Sequence, residues 1–179
     1  MSKAHRKSVL FSFSAGIVAG LVSMAILIMI KVFAGGLSLP ELASQTLFSL
    51  TPGEFESQAI ETLGPLAKYS TFIGSIIVTT IIFGLLGILL SKLHNKFNFN
   101  QYILRFISSF IITYAILILI SIILVTIIQF RSGTQTISVQ LIFLSLTPSQ
   151  IAYGLIFSLF LRKSKDKVKQ QLIHHHNNK

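Results

Sequence analysis

Five acidic side chains, five histidines and no cysteine are all that this 179-residue sequence offers for acid–base, metal or thiol chemistry. Four of the acids, Glu41, Glu54, Glu56 and Glu61, fall in one polar stretch, residues 35–68. Two of them could divide the work of general acid and base. Their positions fit helix starts and a solvated face better. Glu41 stands three residues after Ser38 and Glu54 three after Thr51, the spacing of a capping box. His5 and His94 flank apolar segments, and His174, His175 and His176 follow one another in a polar tail, an arrangement that rarely builds a closed metal site. No long apolar segment contains the histidine that a membrane haem needs. Without cysteine there are no disulfides and no thiolate ligands. The sequence therefore assigns no catalytic, cofactor-binding or metal-ligating residue and no cofactor. One polar cluster does lie inside an apolar segment: Thr147, Ser149 and Gln150. These are the candidates for contact with a substrate or a partner, because polar groups at a broken helix are how transporter sites are built.

The elements that carry these residues are membrane spans. Residues are 52% hydrophobic and 11% charged, and four windows (9–30, 69–91, 106–130 and 132–161) contain no Asp, Glu, Lys or Arg. Each exceeds the roughly 18 residues that mark a candidate span. The fold class is all-α: a polytopic membrane protein, a single membrane domain with four transmembrane helices over about 9–33, 66–90, 103–128 and 139–161. The first window, at 22 residues, is too long for the usual apolar core of a secretory signal, about 7–15 residues, and reads as an uncleaved helix.

The formal charge of +10 invites a nucleic-acid reading, but its distribution answers to topology. Twelve Lys and Arg lie in the N-terminal arm, the connection after the second span and the tail 162–179; Lys31, Lys68 and Arg131 lie on the other side. The positive-inside rule then puts both termini in the cytoplasm and residues 35–68 outside, in a cell membrane. Membrane lipids are expected partners, and nucleic acid is not. The basic tail from Arg162 to Lys169 suits anionic headgroups as well as topology.

Within the first span, Ser12, Gly16 and Gly20 form a small-residue stripe at four-residue spacing, a helix-packing face in lipid. Gly74, Gly84 and Gly87 give similar room in the second. The third span, rich in Ile and Leu, is expected to face lipid more. Tyr69, Tyr102 and Tyr114 are candidate interfacial aromatics. In the outer stretch, Ser38-Leu39-Pro40-Glu41 and Thr51-Pro52-Gly53-Glu54 each predict the start of a short amphipathic surface helix, the second ending at Gly64-Pro65. Ser-Leu-Thr-Pro at 49–52 recurs at 145–148. With matching offsets of 96 residues between the prolines and 94 between Val9 and Ile103, this points to a parallel internal repeat. By that logic residues 137–146 form a surface or re-entrant helix, and a shortened fourth span starts at Pro148. The alternative is one kinked helix over 139–161.

One further pattern is familiar. A first span followed by Leu39-Pro40-Glu41-Leu42, then Pro52 and Phe55, Ile60, Leu63-Gly64 and Ala67-Lys68, leads into a second span. It resembles, over about residues 10–90, the N-terminal membrane region of prokaryotic molybdopterin-dependent oxidoreductases of the sulfite-oxidase type. There the chemistry resides in a soluble domain after the spans, and this sequence has neither that domain nor its cofactor cysteine. The resemblance implies a membrane anchor or partner module of a redox-associated complex, not an enzyme. The expectation is an anchor or partner subunit, with the Ser12/Gly16/Gly20 stripe and the acidic outer face as contact surfaces for another membrane or membrane-associated protein. The alternative is a small transporter or substrate-binding subunit.

Overall fold

A computed structural model describes residues 3–36, 38–64, 66–96, 102–132 and 139–177. Of the connections expected over 95–101 and 129–136, residues 97–101 and 133–136 lie outside them, as do Pro65 and Ile137, whereas 129–132 are helical; the side chains of His5, Lys68, residues 163–169 and the three final histidines are also undescribed. Six helices make up the described chain: α1 (Lys3–Ala34), α2 (Leu39–Leu50), α3 (Gly53–Leu63), α4 (Leu66–Lys96), α5 (Tyr102–Ser132) and α6 (Val139–Asn177). Four are long and apolar enough to cross a membrane, over Ser8–Ala34, Tyr69–Lys96, Tyr102–Phe130 and Gln140–Arg162. The protein is an all-α polytopic membrane protein.

Helix ends follow local chemistry. Gly35, at φ 64°, ends α1 in a left-handed cap, its amide donating to the Lys31 carbonyl at 3.0 Å. A side chain would strain that conformation. Gly64, at φ 55°, follows α3 in the same way. At the start of α2, the Ser38 carbonyl accepts the Leu42 amide at 3.0 Å. The expected capping box does not form: Ser38 Oγ is buried without a partner, and Glu41 pairs with Lys31 and accepts from Gln45 Nε2. A nearby cation outcompetes a backbone amide for that carboxylate.

Thr51 and Thr147 are not helix-start residues either. Each donates its hydroxyl back to the carbonyl four residues earlier, Leu47 at 2.8 Å and Phe143 at 2.7 Å. In the first copy α2 then stops, and Gly53 opens α3. In the second, α6 runs through Pro148 without a break, so no separate surface helix precedes the fourth span. The reason is solvent. At an exposed site a break is cheap because water takes the released carbonyls, whereas within a span a continuous helix confines the loss to the Leu144 carbonyl, whose amide donor Pro148 removes. The Thr147 and Ser149 hydroxyls donate to the Phe143 and Leu146 carbonyls.

The spans pack as an open arc in the order α4, α1, α6, α5, with α4 and α5 barely touching each other. The N-terminal part of α4 and the C-terminal part of α5 are bridged by α2, whose Leu39, Pro40 and Leu42 are buried. Ser75 Oγ of α4 donates to the Pro40 carbonyl at 2.7 Å, so α2 is wedged into the bundle and not merely laid on its surface. The shorter α3 packs on α4.

Candidate functional site

Mostly small and hydroxyl-bearing residues line the inner faces of α1 and α4. On α1 they are Ser12, Gly16, Gly20 and Ser23; on α4, Ser75, Thr79, Phe83 and Gly87. In lipid, helices approach on such residues because close packing replaces the hydrophobic drive. A Cβ on Gly16 would lie 2.5 Å from the Phe83 carbonyl oxygen and 3.0 Å from Gly87 Cα. The Phe83 side chain lies against Gly20, where a Cβ would come within 2.4 Å of it. Passing that glycine, the Phe83 ring reaches Tyr153 on α6, with ring centroids 5.2 Å apart, and Tyr153 stacks on Phe157. The Tyr153 hydroxyl donates to the Phe83 carbonyl at 3.2 Å. So Ser12, Gly16 and Gly20 face α4 of the same chain, which occupies the surface expected for a partner. Gly74 has nothing near it, unlike Gly84 and Gly87.

The Thr147, Ser149 and Gln150 cluster divides. Ser149 and Gln150 are fully buried, and the Gln150 amide donates to Ser23 Oγ on α1 at 3.3 Å. Thr147 is half-buried on another face, hydrogen-bonded to Tyr114 of α5 at 2.9 Å. Tyr114 is therefore an interhelical residue in mid-span, not an interfacial one. These groups tie α1, α5 and α6 together.

Sequence reasoning missed the inner face of α5. Arg105, Ser109, Thr113, Leu117, Ser121 and Val125 recur every fourth residue, and all are buried. The signal was available in the spacing of Ser109, Thr113 and Ser121, but abundant Ile and Leu on the other faces obscured it. Near the end of the bundle, His94 of α4 is 4% exposed and Arg105 7%. His94 Nε2 lies 2.8 Å from Ser108 Oγ, which also stands 3.1 Å from the Arg105 carbonyl oxygen. Which atom of the His94–Ser108 pair donates depends on the imidazole tautomer.

At the opposite end of the bundle, the Lys31–Glu41 ion pair joins α1 to α2, while Glu54, Phe55 and Glu61 on α3 are exposed. No group of three His, Asp or Glu side chains gathers to hold a metal among the described residues.

Between α2, α4 and α5 lies a cavity of about 410 Å³, walled by Leu39, Leu47, Val78, Ile82, Leu117 and Leu124 among others. Its hydroxyls come from Thr46, Ser75 and Thr79, and each donates to a backbone carbonyl at 2.7 Å. What remains exposed to an occupant is almost wholly apolar.

Compared with known proteins, the chain matches no family model, no curated protein and no solved structure.

Proposed function

We propose that this chain is a non-catalytic, multi-pass protein of the cell membrane that anchors, or serves as partner subunit to, another membrane or membrane-associated protein. Both termini lie in the cytoplasm, and α2 and α3 lie outside. The arrangement of α3 carries this reading. That helix packs on α4 and leaves Glu54, Phe55 and Glu61 exposed, while most hydroxyls within the spans donate to backbone carbonyls of their own helices. Glu54 and Glu61 are seven residues apart, two turns along one helix face. A partner suited to them is a basic segment with an apolar residue to cover Phe55. The charge asymmetry of Lys and Arg supports the orientation, and the resemblance over residues 10–90 supports a redox-associated complex.

The chain has no cysteine, so a single introduced thiol is a unique cross-linking handle. In intact membranes, Glu61→Cys is expected to give one protein adduct that Glu54→Lys abolishes, while Ile111→Cys, on the lipid face of α5, gives none. Absence of an adduct at position 61 refutes the docking surface.

The apolar cavity between α4 and α5 favours a second reading, a subunit that binds an apolar membrane-soluble ligand. Its site is that cavity and not the unbroken α6. Purified protein that carries such a ligand and has no protein partner replaces the first reading with the second.

A further inference from the structure

The gap between α4 and α5 calls for an occupant. These two spans barely touch, and α2 bridges them, so the cavity of about 410 Å³ between them has walls from three helices. Thr46, Ser75, Thr79 and Leu117 form its buried floor, while Leu47, Leu50 and Val78 at its lip are exposed. The lip runs on into the exposed apolar faces of the spans, with Ile81 and Leu85 on α4 and Ile123 on α5. Those faces are what the bundle presents to lipid, so the cavity continues the protein–lipid boundary inward beneath α2.

Its walls exclude other contents. Each lining hydroxyl has spent its proton on a backbone carbonyl: Thr46 on Leu42, Ser75 on Pro40 and Thr79 on Ser75, each at 2.7 Å. A buried water needs about two to four polar partners, and apolar cavities stay dry. A ligand recognised through an accepting carbonyl, such as a quinone ring, finds no hydroxyl proton to accept. A partner's helix is too wide. Lining residues extend from Leu117 to Ile127 on α5, about 15 Å at 1.5 Å per residue. Over that length a helix about 10 Å across fills roughly 1,200 Å³, nearly three times the cavity. A hydrocarbon chain, whose carbons meet their neighbours at about 3.5–4.0 Å, is about 4–5 Å across and fills roughly 200–300 Å³. It fits with room to bend, and it needs no hydrogen bond. Left empty, the cavity forfeits dispersion contacts along every wall, and lipid chains lie at its lip.

We propose that the cavity between α2, α4 and α5 binds one acyl chain of a membrane phospholipid, whose headgroup stays outside it. This rests on the reading of the cavity as a site for an apolar ligand, and names the ligand. It is independent of the docking role assigned to α3. The site selects the chain and not the headgroup.

Native mass spectrometry of the full chain from mild detergent tests this, with dioleoyl phosphatidylcholine, dioleoyl phosphatidylglycerol and a prenylated benzoquinone as probes. The wild type is expected to retain one phospholipid, with the two headgroups within about twofold of each other, and the quinone about tenfold less tightly. In nanodiscs, phosphatidylcholine carrying a diazirine on its acyl chain should label residues 75–82 and 117–127 on photolysis. Ala43→Phe puts a ring into the cavity from α2 and should lower both retention and labelling about tenfold. Leu119→Phe, on the exposed face of α5, leaves both unchanged. Should Ala43→Phe fail to fold, Val78→Phe blocks the same cavity from its lip, with the same result expected. A tenfold preference between the two headgroups overturns selection by the chain. Preferential retention of the quinone, lost in Ala43→Phe or Val78→Phe, overturns the acyl chain but keeps the apolar-ligand reading. No retained molecule, or retention and labelling indifferent to both cavity-filling variants, overturns both.

Discussion

Replacing Gly16 by alanine tests the packing on which the bundle rests. The new Cβ would sit 2.5 Å from the Phe83 carbonyl oxygen and 3.0 Å from Gly87 Cα. Both obstacles are backbone, so neither can swing aside. Carbon–oxygen contacts settle near 3.3 Å, so α1 and α4 must part by about 0.8 Å at that level. A gap of that size forfeits a quarter to a half of each dispersion contact it opens. Overpacking of this kind costs about 1–3 kcal/mol, against about 1 kcal/mol returned by alanine's better helix propensity. The expected net loss for Gly16→Ala is therefore about 1 kcal/mol, and up to about 2. Gly74→Ala provides the control, since nothing lies within 4 Å of its Cβ position. Only propensity acts there, and the change should stabilise by up to about 1 kcal/mol. The difference between the two variants isolates the overpacking cost, about 1–3 kcal/mol. Equilibrium unfolding by SDS titration in mixed micelles, followed by helicity, measures it. Gly87→Ala, whose Cβ would meet the Ser12 carbonyl at 2.5 Å, should behave like Gly16→Ala. The double variant should cost less than the sum, because one separation relieves both clashes. If Gly16→Ala and Gly74→Ala fall within about 0.5 kcal/mol of each other, the close α1–α4 approach is refuted.

The same titration checks three further expectations. Tyr153→Phe keeps the stacked rings and loses one interhelical hydrogen bond, a cost of about 0.6 kcal/mol; Tyr153→Ala empties the aromatic centre and should cost about 3–5 kcal/mol. Pro148→Ala restores an amide donor to the Leu144 carbonyl within α6, so it should stabilise by about 1 kcal/mol; a loss instead would show that packing depends on the proline's geometry. Glu41→Gln breaks the Lys31 pair, whose side chains are 34% and 38% exposed, so it should cost no more than about 1 kcal/mol and less at high salt.

Composition and local order determined most of the architecture. Four windows without charge become spans because a charged side chain in hydrocarbon is expensive and a helix satisfies its own backbone. Gly35 and Gly64 end their helices because a residue without Cβ accepts positive φ freely. These are local effects, complete within a few residues, and so they can be read from the chain. Partnerships are not local. Ser38 and Glu41 had the spacing of a capping box, but Lys31 arrives from α1 to take the carboxylate. Thr51 and Thr147 share a tetrapeptide and the same back-bonded hydroxyl. One nevertheless marks the end of a helix and the other lies within one, because the first is exposed beyond the spans and the second lies within a span, half-buried against Tyr114.

Tertiary structure alone decided that the Ser12/Gly16/Gly20 stripe meets α4, and that Gln150 reaches Ser23 across 127 positions. It also turned His94 and Arg105, which read as ordinary charges at a connection, into buried groups. The physical reason is common to all three. In lipid every helix face is apolar enough to be exposed, so hydrophobicity does not choose which faces meet; close approach and hydrogen bonding do, and both depend on what the opposing helix presents.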